Sequence, residues 1–297
     1  MKAKAAIVCT MMLGICAATA AGGCSKERPA NANAAALKVM SFNLRTAAAK
    51  DDHPWAKRLS VAKALIQSEK PDLLGTQEGI RSQLTDLESA LPGYKWIGEG
   101  RDRGGQGEYM AIFYNEARLK PLRQRHFWLS DTPDVPGSKS WGNSYPRMAT
   151  WVLFEDRTTG HRFYAVNTHL DHQSEAARQL GAGLIARSIG EFGEDAPVLL
   201  TGDFNAAVGS GPYRILTAEG KLKDAVRDAA AKVNENVGTF HGYKGGGSGQ
   251  TIDWILYRGD VRVARSEVVT FSEGGQFPSD HYPVTAEIAF QGTPKKQ

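Results

Sequence analysis

Residues 37–290 read as an α/β chain folded into a four-layer sandwich, with two mixed β-sheets flanked by helices. Three observations predict it. The segment opens strand, helix, strand; a long succession of strand-like runs precedes the next strong helix; and no repeat or linker interrupts the pattern, so one domain holds both sheets. In order, Leu37 to Asn43 is strand-like and stops in polar residues. Trp55 to Glu69 repeats apolar residues at helical spacing through Leu59, Ala62, Leu65 and Ile66, and Pro71-Asp72 introduces the short strand Leu73 to Gln77. Ile80 to Leu91 has helical spacing, and strands are expected at Tyr94 to Gly98, Glu108 to Asn115, Leu119 to Leu129, Arg147 to Glu155 and Arg162 to His169. A helix from Glu175 to Glu191 sets Leu180, Leu184, Ile185 and Ile189 on one face. Further strands follow at Pro197 to Thr201, Thr251 to Tyr257, Val261 to Phe271 and Tyr282 to Phe290, leaving 291–297 as a tail.

Composition agrees with a globular enzyme-sized domain. With 41% hydrophobic and 23% charged residues among 297, the chain is neither disordered nor fibrous. The formal net charge is +4, but Lys2, Lys4, Lys26 and Arg28 against Glu27 supply three of those charges, leaving the folded part at +1. A protein that coats a polyanion normally carries a larger basic excess.

The first 24 residues have the order of an export signal: Lys2 and Lys4, an uncharged stretch from Ala5 to Ala21, then small residues. A transmembrane anchor is the alternative, disfavoured because the stretch is short and diluted with Ala, Gly and Thr. Ala18-Thr19-Ala20 suits ordinary signal cleavage; Ala21-Gly22-Gly23-Cys24-Ser25 resembles a lipoprotein box that would lipidate Cys24 and hold the protein on a membrane. The second reading gives an unpaired exported thiol a purpose. Residues 25–36 are small and polar and serve as a tether. The three cysteines, Cys9, Cys16 and Cys24, all precede residue 37, so the domain has no disulfide, thiol nucleophile or cysteine zinc site.

Polar residues gather where apolar runs end: Ser41-Phe42-Asn43-Leu44-Arg45, Gly75-Thr76-Gln77-Glu78, Asn167-Thr168-His169-Leu170-Asp171, Thr201-Gly202-Asp203-Phe204-Asn205 and Ser279-Asp280-His281-Tyr282-Pro283. Alone, each has a structural explanation: Asn43 an Asx-turn, Glu78 a helix-start carboxylate, Asp203 and Asn205 turn residues, His169 a core histidine. Hydrolysis of a phosphate ester asks for such a set, with a hard cation held by carboxylates or amides and a carboxylate to manage the water. Glu78, Asp280 and Asn43 suit the cation. In an extended loop, Asp203 and Asn205 project to one side.

Together, the five motifs resemble the endonuclease/exonuclease/phosphatase superfamily over about residues 37–290. The resemblance implies a phosphoesterase using Mg²⁺, with Mn²⁺ an alternative, and Glu78 as principal metal ligand beside Asn43 and Asp280. It implies that Asp203 orients or deprotonates the attacking water, that Asn205 grips a phosphate oxygen, and that His169 and His281 contact phosphoryl oxygens or move protons. Glu108 would partner His169 and Asp253 would partner His281. Arg147, just before a strand, is a candidate phosphate clamp, with a surface ion pair as the plain alternative. The long aromatic segment from Phe127 to Tyr145 offers Trp141 and Tyr145 as substrate contacts, while Phe127 and Trp128 suit the core equally. The glycines from Lys244 to Gln250 read as a turn, since no Gly-Lys-Ser/Thr ends them. The leading expectation is a monomeric, nuclease-like phosphodiesterase. Alternatives are a phospholipid or sphingomyelin phosphodiesterase, a phosphatase, or a non-catalytic binding protein on the same fold.

Overall fold

The computed structural model of the protein describes Met1 and residues 36–193, 196–218, 221–247 and 249–294; the rest of the leader, with Cys24, and all but Ala36 of the tether lie outside them. The chain opens with β1 (Leu37–Asn43), α1 (Trp55–Glu69), β2 (Leu73–Gln77), α2 (Arg81–Ala90) and β3 (Tyr94–Ile97). A small hairpin, β4 (Gly100–Asp102) and β5 (Gln106–Tyr109), leads to β6 (Ala111–Asn115), β7 (Leu119–Trp128), β8 (Met148–Asp156) and β9 (Arg162–His169). Then come α3 (Glu175–Gly190), β10 (Val198–Asp203), α4 (Gly211–Thr217), β11 (Lys223–Asp224), α5 (Ala225–Asp228), β12 (Ala231–Val233), β13 (Asp253–Arg258), β14 (Val261–Val268) and β15 (Val284–Phe290).

The strands form a seven-stranded sheet in the order β12-β14-β15-β1-β2-β6-β3 and a six-stranded sheet in the order β11-β13-β10-β9-β8-β7. Side-chain alternation explains why both faces of each sheet are buried. On β1, Leu37 and Val39 face the opposite sheet, where Val152, Phe154, Ala165 and Leu199 belong to the same buried cluster. Met40 and Phe42 turn outward and join Ala62, Leu65 and Ile66 of α1 and Leu84 and Leu87 of α2. The outer face of the second sheet packs Val166, Val198 and Leu200 with Ala182, Ile185 and Ile189 of α3. Helix, sheet, sheet, helix is the result.

Where boundaries differ from expectation, local pairing explains it. The strand expected over Glu108 to Asn115 breaks at Met110: β5 pairs with β4, whereas β6 pairs with β2 and β3. Gly100 permits the tight β4–β5 turn, because a Cβ there would lie 2.3 Å from the Gln106 carbonyl oxygen. The strand expected from Thr251 starts at Asp253, because the backbone N–H groups of Ile252 and Asp253 both donate to Thr239 Oγ1. The strand expected to reach Phe271 stops at Val268, since Val269 N–H leaves its neighbour for the Pro283 carbonyl. The short elements α4, β11, α5 and β12 carry too little periodicity to be seen in sequence.

Arg58 is the exception on the apolar face of α1, fully buried among hydrophobic neighbours. Its guanidinium donates to the carbonyls of His53 (2.7 Å), Leu44 (2.6 Å), Pro278 (3.1 Å) and Arg45 (2.9 Å), so one cation ties the β1–α1 loop, at both its ends, to the loop before β15. Replacing it leaves four carbonyls to find partners in a dry interior. Arg58→Met is expected to lower the unfolding free energy by about 3 kcal/mol, measured as a fall in the urea midpoint. A loss under about 1 kcal/mol would show that water takes over those carbonyls.

Candidate active site

Strand register assembles the site. In the second sheet Asp203 pairs with His169 across the parallel β10–β9 ladder and with Asp253 across the antiparallel β10–β13 ladder, so three polar residues stand side by side at one rim. In the first sheet Asn43 pairs with Gln77, which places Glu78 just beyond the end of β2. Beneath them a buried amide network ties the sheets together. Gln77 Nε2 donates to Asn167 Oδ1 (2.7 Å), Asn167 Nδ2 donates to the Thr76 and Ala111 carbonyls (2.7 and 3.0 Å), and Thr201 Oγ1 donates to Asn167 Oδ1 (3.1 Å). Gly75 sits opposite; a Cβ there would lie 2.0 Å from Thr201 Oγ1, so glycine permits the close approach.

Above this floor, Asn43 Nδ2 donates to Glu78 Oε1 (3.0 Å) and to Asp203 Oδ2 (2.9 Å), joining carboxylates from opposite sheets. His281 Nδ1 lies 2.9 Å from Asp253 Oδ2, and His281 Nε2 lies 3.8 Å from Asp203. Burial opposes a charge on His281, but Asp253 and Asp203 outweigh it and push its pKa up to about 10, so it is protonated at neutral pH. Burial, with Asp253 beside it, pushes Asp203 upward. His169 Nε2 is 2.9 Å from Asn205 Nδ2 and 3.5 Å from Asp203, and burial together with Arg147 and Arg101 keeps this ring neutral.

Two expected relationships differ. Asn205 is not in an extended loop: its φ is 47°, and its N–H donates to Asp203 Oδ1 (2.9 Å), an Asx-type turn that still brings both side chains to His169. Arg45 (φ 51°) and Glu78 (φ 61°) also hold left-handed backbone, so three strand-end turns of the site carry local strain. Glu108 does not pair primarily with His169, from whose Nδ1 it lies 3.9 Å; it is clamped by Arg101, which sequence reasoning missed. Burial against the opposing pull of Arg101 raises the Glu108 pKa to about 7. Unfolded, the group titrates near 4.5, so between these values the folded state keeps a proton the unfolded chain releases. Stability therefore falls as pH rises through that window. Thermal midpoints should drop more steeply between pH 5 and 7 for the wild type than for Glu108→Gln; equal slopes would remove this assignment.

Arg147 is buried, with Nη2 3.0 Å from His172 Nδ1 and Nε 3.5 Å from Asp171, and its Nη1 has no hydrogen-bond partner among the described residues. Tyr145 lines the same cleft, while Trp141 instead bonds Asp131 and packs toward the core, and Phe127 and Trp128 are buried. The cleft, about 430 Å³, brings together Glu78, Glu108, Arg147, His169, Asp203, Asn205, Asp280 and His281, joined by the unanticipated Arg45, Arg101, His172 and Phe240. Arg101 sits in a Gly-rich hairpin that reads as a turn, which hides it.

A hard divalent cation seeks oxygen donors with uncompensated charge. Asp280 is paired with Arg45 (2.9 Å), Asp253 with His281, Glu108 with Arg101 and Asp171 with Arg147. Glu78 is bonded only by neutral donors, Asn43 Nδ2 and Thr46 N–H (3.1 Å), and no cation among the described residues pairs with it. Ligand atoms of Glu78, His169 and Asp203 lie within 4.8 Å of one another. The residues therefore fit a cation centred on Glu78. Of the other expected ligands, Asn43 turns its N–H₂ toward the carboxylates and its Oδ1 to Arg45 N–H, and Asp280 is held by Arg45.

A two-sheet sandwich with a histidine–carboxylate cleft between its strand ends defines an enzyme that hydrolyses phosphate esters. Residues 40–281 match the model of the Endonuclease/Exonuclease/phosphatase family, and the chain belongs to that family, whose members depend on divalent metals. The fold is similar to that of a mannosyl-6-phosphatase from Bacteroides thetaiotaomicron, 36% identical, covering 86% of this chain and 100% of that one at a TM-score of 0.81. It is also similar to an endonuclease/exonuclease/phosphatase family protein of the same organism, 35% identical, covering 86% and 98% at a TM-score of 0.82. The human Nocturnin catalytic domain shares the fold at 18% identity, covering 86% and 95% at a TM-score of 0.69.

Proposed function

We propose that the chain is a divalent-metal-dependent phosphomonoesterase acting on a small phosphorylated alcohol. The observation that carries this reading is the pair of cationic side chains built into the cleft: His281, held by Asp253, and buried Arg147, whose Nη1 has no hydrogen-bond partner among the described residues, face the same space as Glu78. A phosphate monoester is nearly a dianion at neutral pH, with three free oxygens, whereas a diester carries one charge and two. A cleft of about 430 Å³ also suits a small molecule. The 36% identical mannosyl-6-phosphatase supports the same choice over the nuclease expected from sequence.

Asp203 would take a proton from the attacking water, a role suited to a carboxylate whose pKa is raised. Asn205 and neutral His169 would fix its position, and His281, held by Asp253, would donate to a phosphoryl oxygen as charge develops. Mg²⁺ or Mn²⁺ held at Glu78 would neutralise phosphoryl charge. The test is a panel of hexose 6-phosphates, bis(p-nitrophenyl) phosphate, single-stranded nucleic acid and sphingomyelin, with Mg²⁺, Mn²⁺ or chelator. Metal-dependent release of orthophosphate from the monoesters, exceeding diester cleavage by about 10²-fold, is expected. Faster cleavage of any diester overturns the reading.

We further propose export with lipidation at Cys24, on the order of the leader. Fractionation and the mass of the mature N-terminus test it: an unmodified chain beginning at Ala21 would exclude it.

A further inference from the structure

We infer that the cleft extends into a built subsite for the alcohol half of the substrate, formed by Arg101, Glu108, Tyr145 and His172, and that it takes a polyhydroxylated ring of the hexose type. This rests on the monoesterase reading above and gives it a leaving group.

The residues form a series running outward from the reacting centre. Asp203 lies 3.5 Å from His169 Nε2, His169 Nδ1 lies 3.9 Å from Glu108, Glu108 is clamped by Arg101, and the Arg101 guanidinium lies 4.8 Å from the centre of the Tyr145 ring. His172 stacks loosely on the same ring at 6.2 Å. A ring attached to phosphate through one oxygen and one carbon would lie along this wall while its phosphoryl group stayed beside Asp203 and His281.

Each group offers what a hydroxyl-rich ring needs. Arg101 is 7% exposed, and its Nε has no hydrogen-bond partner among the described residues. A buried guanidinium N–H is costly to leave unpaired, and a ligand oxygen answers it. Glu108, held in place by Arg101, offers carboxylate oxygen to a ligand hydroxyl. Tyr145 is 51% exposed although it lines the cleft; with Arg101 over its ring, it can offer C–H-bearing ligand atoms an aromatic surface.

The wall is also fixed in advance. The loop from 129 to 147 is cross-braced by Ser130 Oγ to Ser138 Oγ (2.7 Å), Trp141 Nε1 to Asp131 (2.8 Å), Ser174 Oγ to the Trp141 carbonyl (2.9 Å) and Ser144 Oγ to Gln173 (2.7 Å). Binding therefore orders little that is not already ordered.

The experiment compares kcat/KM for a hexose 6-phosphate with that for glycerol 3-phosphate in metal-loaded wild type, Tyr145→Ala and Arg101→Met. Wild type should prefer the hexose ester by at least about 10-fold, and each variant should cut that preference by about 10-fold or more. Titration with a hexose 6-sulfate, followed by protein NMR, should move the Tyr145 ring signals in wild type, giving a readout independent of turnover. Monoester hydrolysis without hexose preference, a preference untouched in both variants, or a stronger preference for nucleoside 5′-monophosphates would overturn the subsite and leave the phosphomonoesterase reading standing. Cleavage of diesters alone would remove that reading, while the NMR titration would still decide the subsite.

Discussion

Asp203→Asn is expected to lower kcat by about 10⁴-fold and to leave KM within about threefold of wild type. The asymmetry is the informative part. Asp203 accepts hydrogen bonds from Asn43 Nδ2 at one oxygen and from Asn205 N–H at the other; the isosteric amide keeps the shape and can accept one of the two, at the cost of the other bond. What it cannot do is accept a proton from water, and it removes one of the two carboxylates that keep His281 charged. The lost proton transfer falls on the transition state, while Asp253 still supports the His281 charge for ground-state binding. Single-turnover kinetics at saturating metal measure the effect; a variant that mainly raised KM would place Asp203 in substrate binding instead.

Glu78→Gln is expected to raise the metal concentration for half-maximal activity by roughly 10²-fold or more and to lower turnover by a similar factor when metal is limiting. No cation among the described residues pairs with the Glu78 carboxylate, so replacing it takes away the main attraction for a cation while keeping the side-chain shape and one of the two hydrogen bonds from Asn43 Nδ2 and Thr46 N–H. Calorimetric titration with Mn²⁺ on the folded variant separates lost affinity from lost structure. Unchanged affinity would move the cation to another group of the cleft.

The sequence carried the layers because both sheets are built from apolar runs long enough to show a period, as Arg162 to His169 does without a shifted boundary. Polar residues at the ends of such runs stood out for the same reason, and the structure gathers Glu78, His169, Asp203 and His281 into one cleft. What stayed hidden depends on chain segments meeting in space. Arg101 lies on a hairpin whose glycines look like an ordinary turn, and its contact with Glu108 exists only because the hairpin folds back on itself. Arg58 follows the helical period of a core position and would pass for a surface residue by type alone. The left-handed turns at Arg45, Glu78 and Asn205 involve residues other than glycine, so no composition signal marks them.

The Asn167–Gln77–Thr201 network lies below a site whose two halves belong to different sheets, Asn43 and Glu78 to one and His169, Asp203 and Asp253 to the other. The cleft is thus a gauge of how far apart the sheets stand. In an expanded state that keeps its helices and strands but loosens its packing, such as mild acid produces in many proteins, the gap opens first. Asn43 can then no longer reach both carboxylates. Metal affinity should vanish while far-ultraviolet circular dichroism is still native, and activity would report on the fit between the layers well before it reports on unfolding.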